Sequence, residues 1–180
     1  MITKEFHNTQ DAMRAYGLMQ VPESGCVVEV GCNTGITTAP FFINTSARYI
    51  GIDNQKKKIE TARRLFPSLR FMCIDCLSPE GRKIIKTADI LISFQTLEHI
   101  GTPQGDEDLQ MLSWLKKGAK VIISVPNFNS ATHVRFYNHE KWTERFAQEI
   151  HIEELCIYHS IKLSGIRKDS CSYLYKGYKI

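Results

Sequence analysis

The chain has 180 residues, 43% of them apolar and 23% charged, with a formal net charge of +4. That balance suits one folded domain over residues 1–180 and excludes a disordered chain. No apolar run approaches the ~20 residues needed to span a bilayer, and the polar N-terminus MITKEFHNTQDAMRAYG lacks a signal-peptide core, so a cytoplasmic protein with no membrane partner is expected.

In chain order, TQDAMRAYGL (9–18) reads as a helix that covers the sheet or a ligand mouth. CVVEV (26–30), RYIGID (48–53), LRFMCID (69–75), DILISF (89–94) and KVIISV (120–125) are apolar on nearly every residue. Strands of that kind are covered on both faces, which points to a parallel central sheet. Between them, Gly35–Phe42, Gln55–Leu65, Pro79–Lys86 and Asp106–Leu115 read as crossover helices. Pro79 suits a first helical turn with Ser78 as its cap. Lys56, Lys57 and Lys58 read as a solvated helix face, so the charge permits a nucleic-acid partner without pointing to one. Ile152–Ser160 reads as a last helix, and the two segments that follow (161–168, 172–180) as a hairpin joined at Asp169–Cys171. That ending adds an antiparallel pair at the sheet edge. Most of the six cysteines lie in or beside apolar runs. Cys73 and Cys76 form a lone CxxC, with no second pair to complete a metal tetrahedron.

The chemistry-bearing stretch is VVEVGCNTG, residues Val27–Gly35. Gly31 permits a sharp turn off the strand, and Asn33 stands where a dinucleotide loop often has a second glycine. Glu29 beside the turn would repel a pyrophosphate and welcome an ammonium group. Asp53, at the end of the second strand, can accept hydrogen bonds from two vicinal ribose hydroxyls, and Asp75 ends the third strand on the same edge. A nucleoside that carries a cation and no phosphate fits these groups, and S-adenosyl-L-methionine is such a molecule.

VVEVGCNTG, GID ending at Asp53, MCIDC around Asp75, ILISFQTLEHI (90–100) and VIISVPN (121–127) together resemble the class I S-adenosylmethionine-dependent methyltransferases. The resemblance covers nearly the whole chain. It implies a three-layer αβα Rossmann-like α/β fold, with a seven-stranded mostly parallel sheet and an antiparallel last strand. It also implies that Glu29, Gly31, Cys32 and Gly35 frame the methionine portion of the cofactor and that Asp53 binds the ribose. Asn54 would lie beside the adenine, Asp75 would accept from its amino group with Ile74 and Cys76 near the ring, and Phe94 and Gln95 would line the methionine end. Cys32, Asn54 and Cys76 read equally well as loop filling.

The acceptor side is less regular. SFQT follows the fourth strand where amino-methylating enzymes of this family carry [DNS]PP[YFW], so N-methylation of that type is disfavoured. His99, with Glu98 beside it, is the candidate acid/base pair; a structural hydrogen bond is the competing reading. LEH also resembles the same stretch of ubiquinone-biosynthesis O-methyltransferases. Small-RNA 3′-terminal 2′-O-methyltransferases bind a divalent metal through ExxEH and a later His, but this chain has Gln95 in place of the first carboxylate, and no metal is expected. His133, Arg135, Tyr137 and His139, in a polar and aromatic segment that also holds Trp142, are the candidate substrate residues; a surface loop anchored by Trp142 is the alternative.

The leading expectation is O-methylation of a small-molecule or glycan-type metabolite. RNA or tRNA methylation and a non-catalytic cofactor-binding scaffold are the alternatives.

Overall fold

The computed structural model describes residues 1–8, 10–162 and 165–180, with side chains described outside 6–10 and 160–170. A mixed sheet of eight strands forms its middle, in the order β1-β7-β8-β6-β5-β2-β3-β4. The strands are β1 Ile2–Asn8, β2 Cys26–Val30, β3 Arg48–Asp53, β4 Arg70–Cys73, β5 Ile90–Phe94, β6 Lys120–Pro126, β7 Ile150–Lys162 and β8 Gly165–Lys179. The helices are α1 Gln10–Leu18, α2 Lys56–Leu65, α3 Pro79–Ile85, α4 Glu107–Ser113 and α5 His139–Phe146. All neighbouring strands pair parallel except β8, which runs antiparallel to both β6 and β7.

Alternation along each buried strand sends side chains to two cores. Val28, Val30, Ile50, Ile52, Leu91, Val121 and Ile123 pack with Ile85 of α3, Leu109 and Leu112 of α4, and Trp142 and Phe146 of α5. Val27, Tyr49, Ile90, Ile92 and Ile122 pack on the other face with Met13 and Leu18 of α1 and Ile59 and Ala62 of α2. The result is the expected three-layer αβα Rossmann-like architecture. Ser78 caps α3 as expected, its Oγ accepting from Gly81 N at 3.0 Å. Ser78→Ala should lower the unfolding free energy in urea by about 1 kcal/mol, the usual worth of such a cap.

Three expectations are corrected. The sheet has eight strands rather than seven, because ITKEFHN forms β1 on the far side of β7. Residues 152–160 form part of β7 and not a helix. Irregular register between Ile152 and Glu154, and between His159 and Ile161, breaks the two-residue alternation that would have marked a strand. Asp169–Cys171 accordingly lies inside β8; residues 163–164, between β7 and β8, lie outside the described residues, as does Thr9, the first residue of the expected helix 9–18.

Gly35–Phe42 is the third. It forms turns and one short 3-10 turn, Ala39–Phe41. Thr37 and Thr38 are β-branched and Pro40 lacks an N–H, so an α-helix does not propagate. Beside these, the 133–146 segment contains the unforeseen helix α5, capped by Asn138 Oδ1 accepting from Lys141 N at 3.1 Å.

Candidate functional site

Strand order reverses beside β2: β3 and β4 lie on one side, β5 and β6 on the other. Loops leaving the carboxyl ends of adjacent strands diverge at such a switch point and leave a crevice. A cavity of about 760 Å³ opens there, lined by residues of the loops after β2, β3, β4 and β5.

The loop after β2 is held by three left-handed residues, Gly31 (φ 76°), Asn33 (φ 53°) and Gly35 (φ 75°). At Gly31 a Cβ would meet Thr96 Oγ1 at 2.1 Å, so only glycine fits between the two loops. Asn33 occupies the position of the absent glycine and adopts the glycine-like conformation, as asparagine can at small cost. Its N–H donates to Asp53 Oδ2 at 3.0 Å, while its own Oδ1 accepts from Thr34 N at 2.8 Å. Asp53 Oδ1 accepts from Gln55 N at 2.8 Å, so one carboxylate braces both loops.

Every residue expected to hold the cofactor lines this cavity: Glu29, Gly31, Cys32, Gly35, Asp53, Asn54, Asp75, Cys76, Phe94 and Gln95. Glu29 is buried and accepts hydrogen bonds from the Thr38 hydroxyl at 2.8 Å and from the Tyr49 hydroxyl. Burial pushes its carboxyl up to about 7, against these two hydrogen bonds that favour the anion. The Cys76 thiol is pushed up to about 12 by burial, with the charge of Asp75 adding to it, and Cys73 is an exposed free thiol, so the CxxC is no thiolate centre. Arg14, from α1, also lines the cavity and was missed in the sequence, because a lone arginine on an amphipathic helix carries no signal of its own.

A second group of side chains stands at the rim beyond Phe94. His99 lines the cavity together with Thr96, Ile100 and Thr132. Its Nδ1 lies 2.8 Å from Thr132 O, and because a carbonyl can only accept, Nδ1 carries the proton and Nε2 keeps a lone pair. His133 repeats the arrangement, with Nδ1 at 3.0 Å from Phe128 O. The two imidazoles meet edge to face with centroids 4.8 Å apart. Burial, with His99 adding to it, lowers the His133 pKa against the raising bond to Phe128. Glu98 is only 1% exposed, with Oε1 3.9 Å from His99 Nε2 and Oε2 without a hydrogen-bond partner among the described residues. Burial pushes its carboxyl up to about 8.

Of the four residues expected to meet the substrate, only His133 comes to this group. Arg135 is buried, with Nη1 2.6 Å from Asp108 Oδ1 and Nη2 donating to Thr102 O at 2.6 Å. Tyr137 packs edge to face on Trp142, centroids 4.9 Å apart. His139 begins α5 and pairs with Glu140 at 3.2 Å. None of the four lines the cavity itself. Trp142, on α5, is wholly buried and its Nε1 donates to Pro126 O at 3.2 Å, so it anchors the segment.

A family model described as a methyltransferase domain matches residues 7–163. A search of curated protein sequences found no match. Among solved structures, the chain resembles the complex of the Haloferax volcanii Trm112 methyltransferase activator with a methyltransferase, at TM-score 0.72 and 15% identity over 96% of this chain and 98% of that one. It resembles magnesium protoporphyrin IX methyltransferase from Synechocystis PCC 6803 with bound S-adenosylmethionine at TM-score 0.67 and 16% identity, over 95% and 78% of the two chains. It also resembles the [4+2]-cyclase SpnF, at TM-score 0.73 and 16% identity over 94% and 81%. At such identity the likeness concerns the fold, and a cyclase among these structures means that the acceptor chemistry must be argued from this chain's own residues.

Proposed function

Since the chain belongs to the class I S-adenosylmethionine-dependent methyltransferase family, we propose that it transfers the methyl group to an oxygen of a small-molecule or glycan-type metabolite, as a single cytoplasmic catalytic domain. The cofactor supplies an electrophilic methyl group on a sulfonium. Asp53 accepts from the ribose hydroxyls and Asp75 from the adenine amino group, with Asn54, Ile74 and Cys76 beside the ring. Glu29 faces the ammonium and Arg14 the carboxylate of the methionine portion, framed by Gly31, Cys32, Gly35, Phe94 and Gln95. No helix among the described residues is long and apolar enough to cross a membrane.

The observation that carries the oxygen reading is the His99 imidazole at the cavity rim, with Nδ1 committed to Thr132 O and Nε2 free to receive a proton. A hydroxyl must lose its proton as it is methylated, and a base held at the rim can take it. Buried Glu98 stands beside this imidazole, its Oε1 3.9 Å from Nε2. Labelled-methyl transfer tests the reading: product is expected from hydroxylated metabolites and not from tRNA. Transfer to tRNA alone would replace it with RNA methylation. Absence of S-adenosylmethionine binding in calorimetry would replace it with a scaffold.

Glu29 gives the cofactor site a pH dependence. In the folded chain burial pushes its carboxyl up to about 7 against an ordinary 4.5, so folding stability is highest below about 4.5 and falls as pH rises to about 7, where the buried group must ionise. A bound ammonium reverses the preference, because it requires the carboxylate. Cofactor affinity should therefore weaken as pH falls below about 7, by up to ~10-fold per unit. Calorimetry at several pH values should show this slope, and Glu29→Gln should flatten it.

A further inference from the structure

We propose that Glu98, His99 and His133 form a binding site for a divalent cation of the zinc class, which holds and activates the acceptor oxygen. The proposal rests on the methyltransferase reading above and changes what removes the acceptor's proton. One ligand atom from each residue lies within 4.8 Å of the others. Ligands of a tetrahedral zinc about 2.0–2.2 Å from the metal stand roughly 3.3 Å apart. Metal binding would draw the three groups together by that difference.

Three features separate this group from a chance cluster. Both imidazoles donate Nδ1–H to a backbone carbonyl, Thr132 O and Phe128 O, which leaves two Nε2 lone pairs. This is the outer-shell arrangement that fixes metal-ligating histidines. The third member is a buried carboxyl group whose Oε2 has no hydrogen-bond partner among the described residues, a costly state that a cation relieves. The turn bearing Glu98 is also tied to the segment bearing His133, since Glu98 O accepts from Val134 N at 2.8 Å. Two imidazole nitrogens and one carboxylate suit zinc, cobalt or iron better than magnesium or calcium.

Three protein ligands leave a coordination position free, as in catalytic zinc sites. His99 lines the cavity, so the proposed site borders the crevice that would hold the cofactor's methyl group. An acceptor hydroxyl held there becomes more acidic and gives its proton to solvent at the rim. Its oxygen then bonds to the methyl carbon, and the carbon–sulfur bond breaks with its electron pair kept on sulfur, giving S-adenosylhomocysteine.

The test is titration of the untagged full chain with Co²⁺, read by its visible absorption and by equilibrium dialysis. One Co²⁺ per chain is expected, displaced by Zn²⁺. His133→Ala and Glu98→Gln should each weaken it at least ~10-fold, while S-adenosylhomocysteine binding in calorimetry stays intact. Binding unchanged in both variants, or abolished by Cys73→Ser instead, overturns the proposal, as does absence of binding in the wild type. Loss of S-adenosylhomocysteine binding in the wild type would count separately, against the cofactor reading.

Discussion

Asp53→Ala is expected to weaken S-adenosylhomocysteine binding by about 100- to 1,000-fold, measured by calorimetry. The carboxylate stands at the end of β3 and lines the cavity, where it can accept from two vicinal ribose hydroxyls. Hydrogen bonds to a charged group are worth about 1.5–3 kcal/mol each, and about 1.4 kcal/mol is a factor of ten. A second loss adds to the first. Asp53 Oδ2 holds Asn33 N and Oδ1 holds Gln55 N, so alanine also frees the left-handed Asn33 turn that shapes the methionine end. Asp53→Asn keeps one acceptor oxygen and should fall between the two. A dissociation constant within about threefold of wild type for Asp53→Ala would remove the ribose role from this residue.

The loop residues that line the cavity were legible because their signals are local. Each of VVEV, GID and CID puts an acidic or glycine residue at the carboxyl end of an apolar run, and parallel pairing carries those ends to one edge. Asn33 was read as tolerated only because no pyrophosphate has to fit. Its left-handed backbone and its bond to Asp53 add a positive reason for asparagine there. The edge of the sheet was less legible. Residues 150–162 carry irregular register that disrupts alternation, and β1 pairs with partners more than 150 positions away. Glu154 and Lys176 sit opposite one another on β7 and β8, where Lys4 of β1 and Tyr16 of α1 also bond Glu154. Such a polar cluster inside a sheet edge has no signature in apolar patterning. α5 carries a readable signal in its Asn138 cap, but its Trp and His are residue types that serve ligand chemistry as readily as a helix. The meeting of His99 with His133 depends on how two loops fold together, and no periodicity encodes that.

The same segment supplies the second large effect. Arg135→Ala is expected to cost about 3 kcal/mol of unfolding free energy in urea, the lower end for removing one partner of a buried ion pair. Its guanidinium is buried between Asp108 and the carbonyls of Thr102 and Gly105, the latter at 3.1 Å. Asp108 is fully buried on α4. Arg145 on α5 reaches the same carboxylate, with Nε to Oδ2 at 2.9 Å and Nη2 to Oδ1 at 2.6 Å. That second arginine keeps Asp108 from being left as an uncompensated charge, which is why the cost is held to the lower end. For a chain of this length, such a loss lowers the melting temperature by roughly 6–12 °C. Cofactor binding should be unchanged, because Arg135 does not line the cavity. The alternative role, capture of an anionic acceptor, predicts the reverse pattern of unchanged stability and a raised KM for the acceptor. The two outcomes exclude each other, so one urea titration and one kinetic series decide whether this arginine braces α4 and α5 beneath the rim or meets the substrate above it.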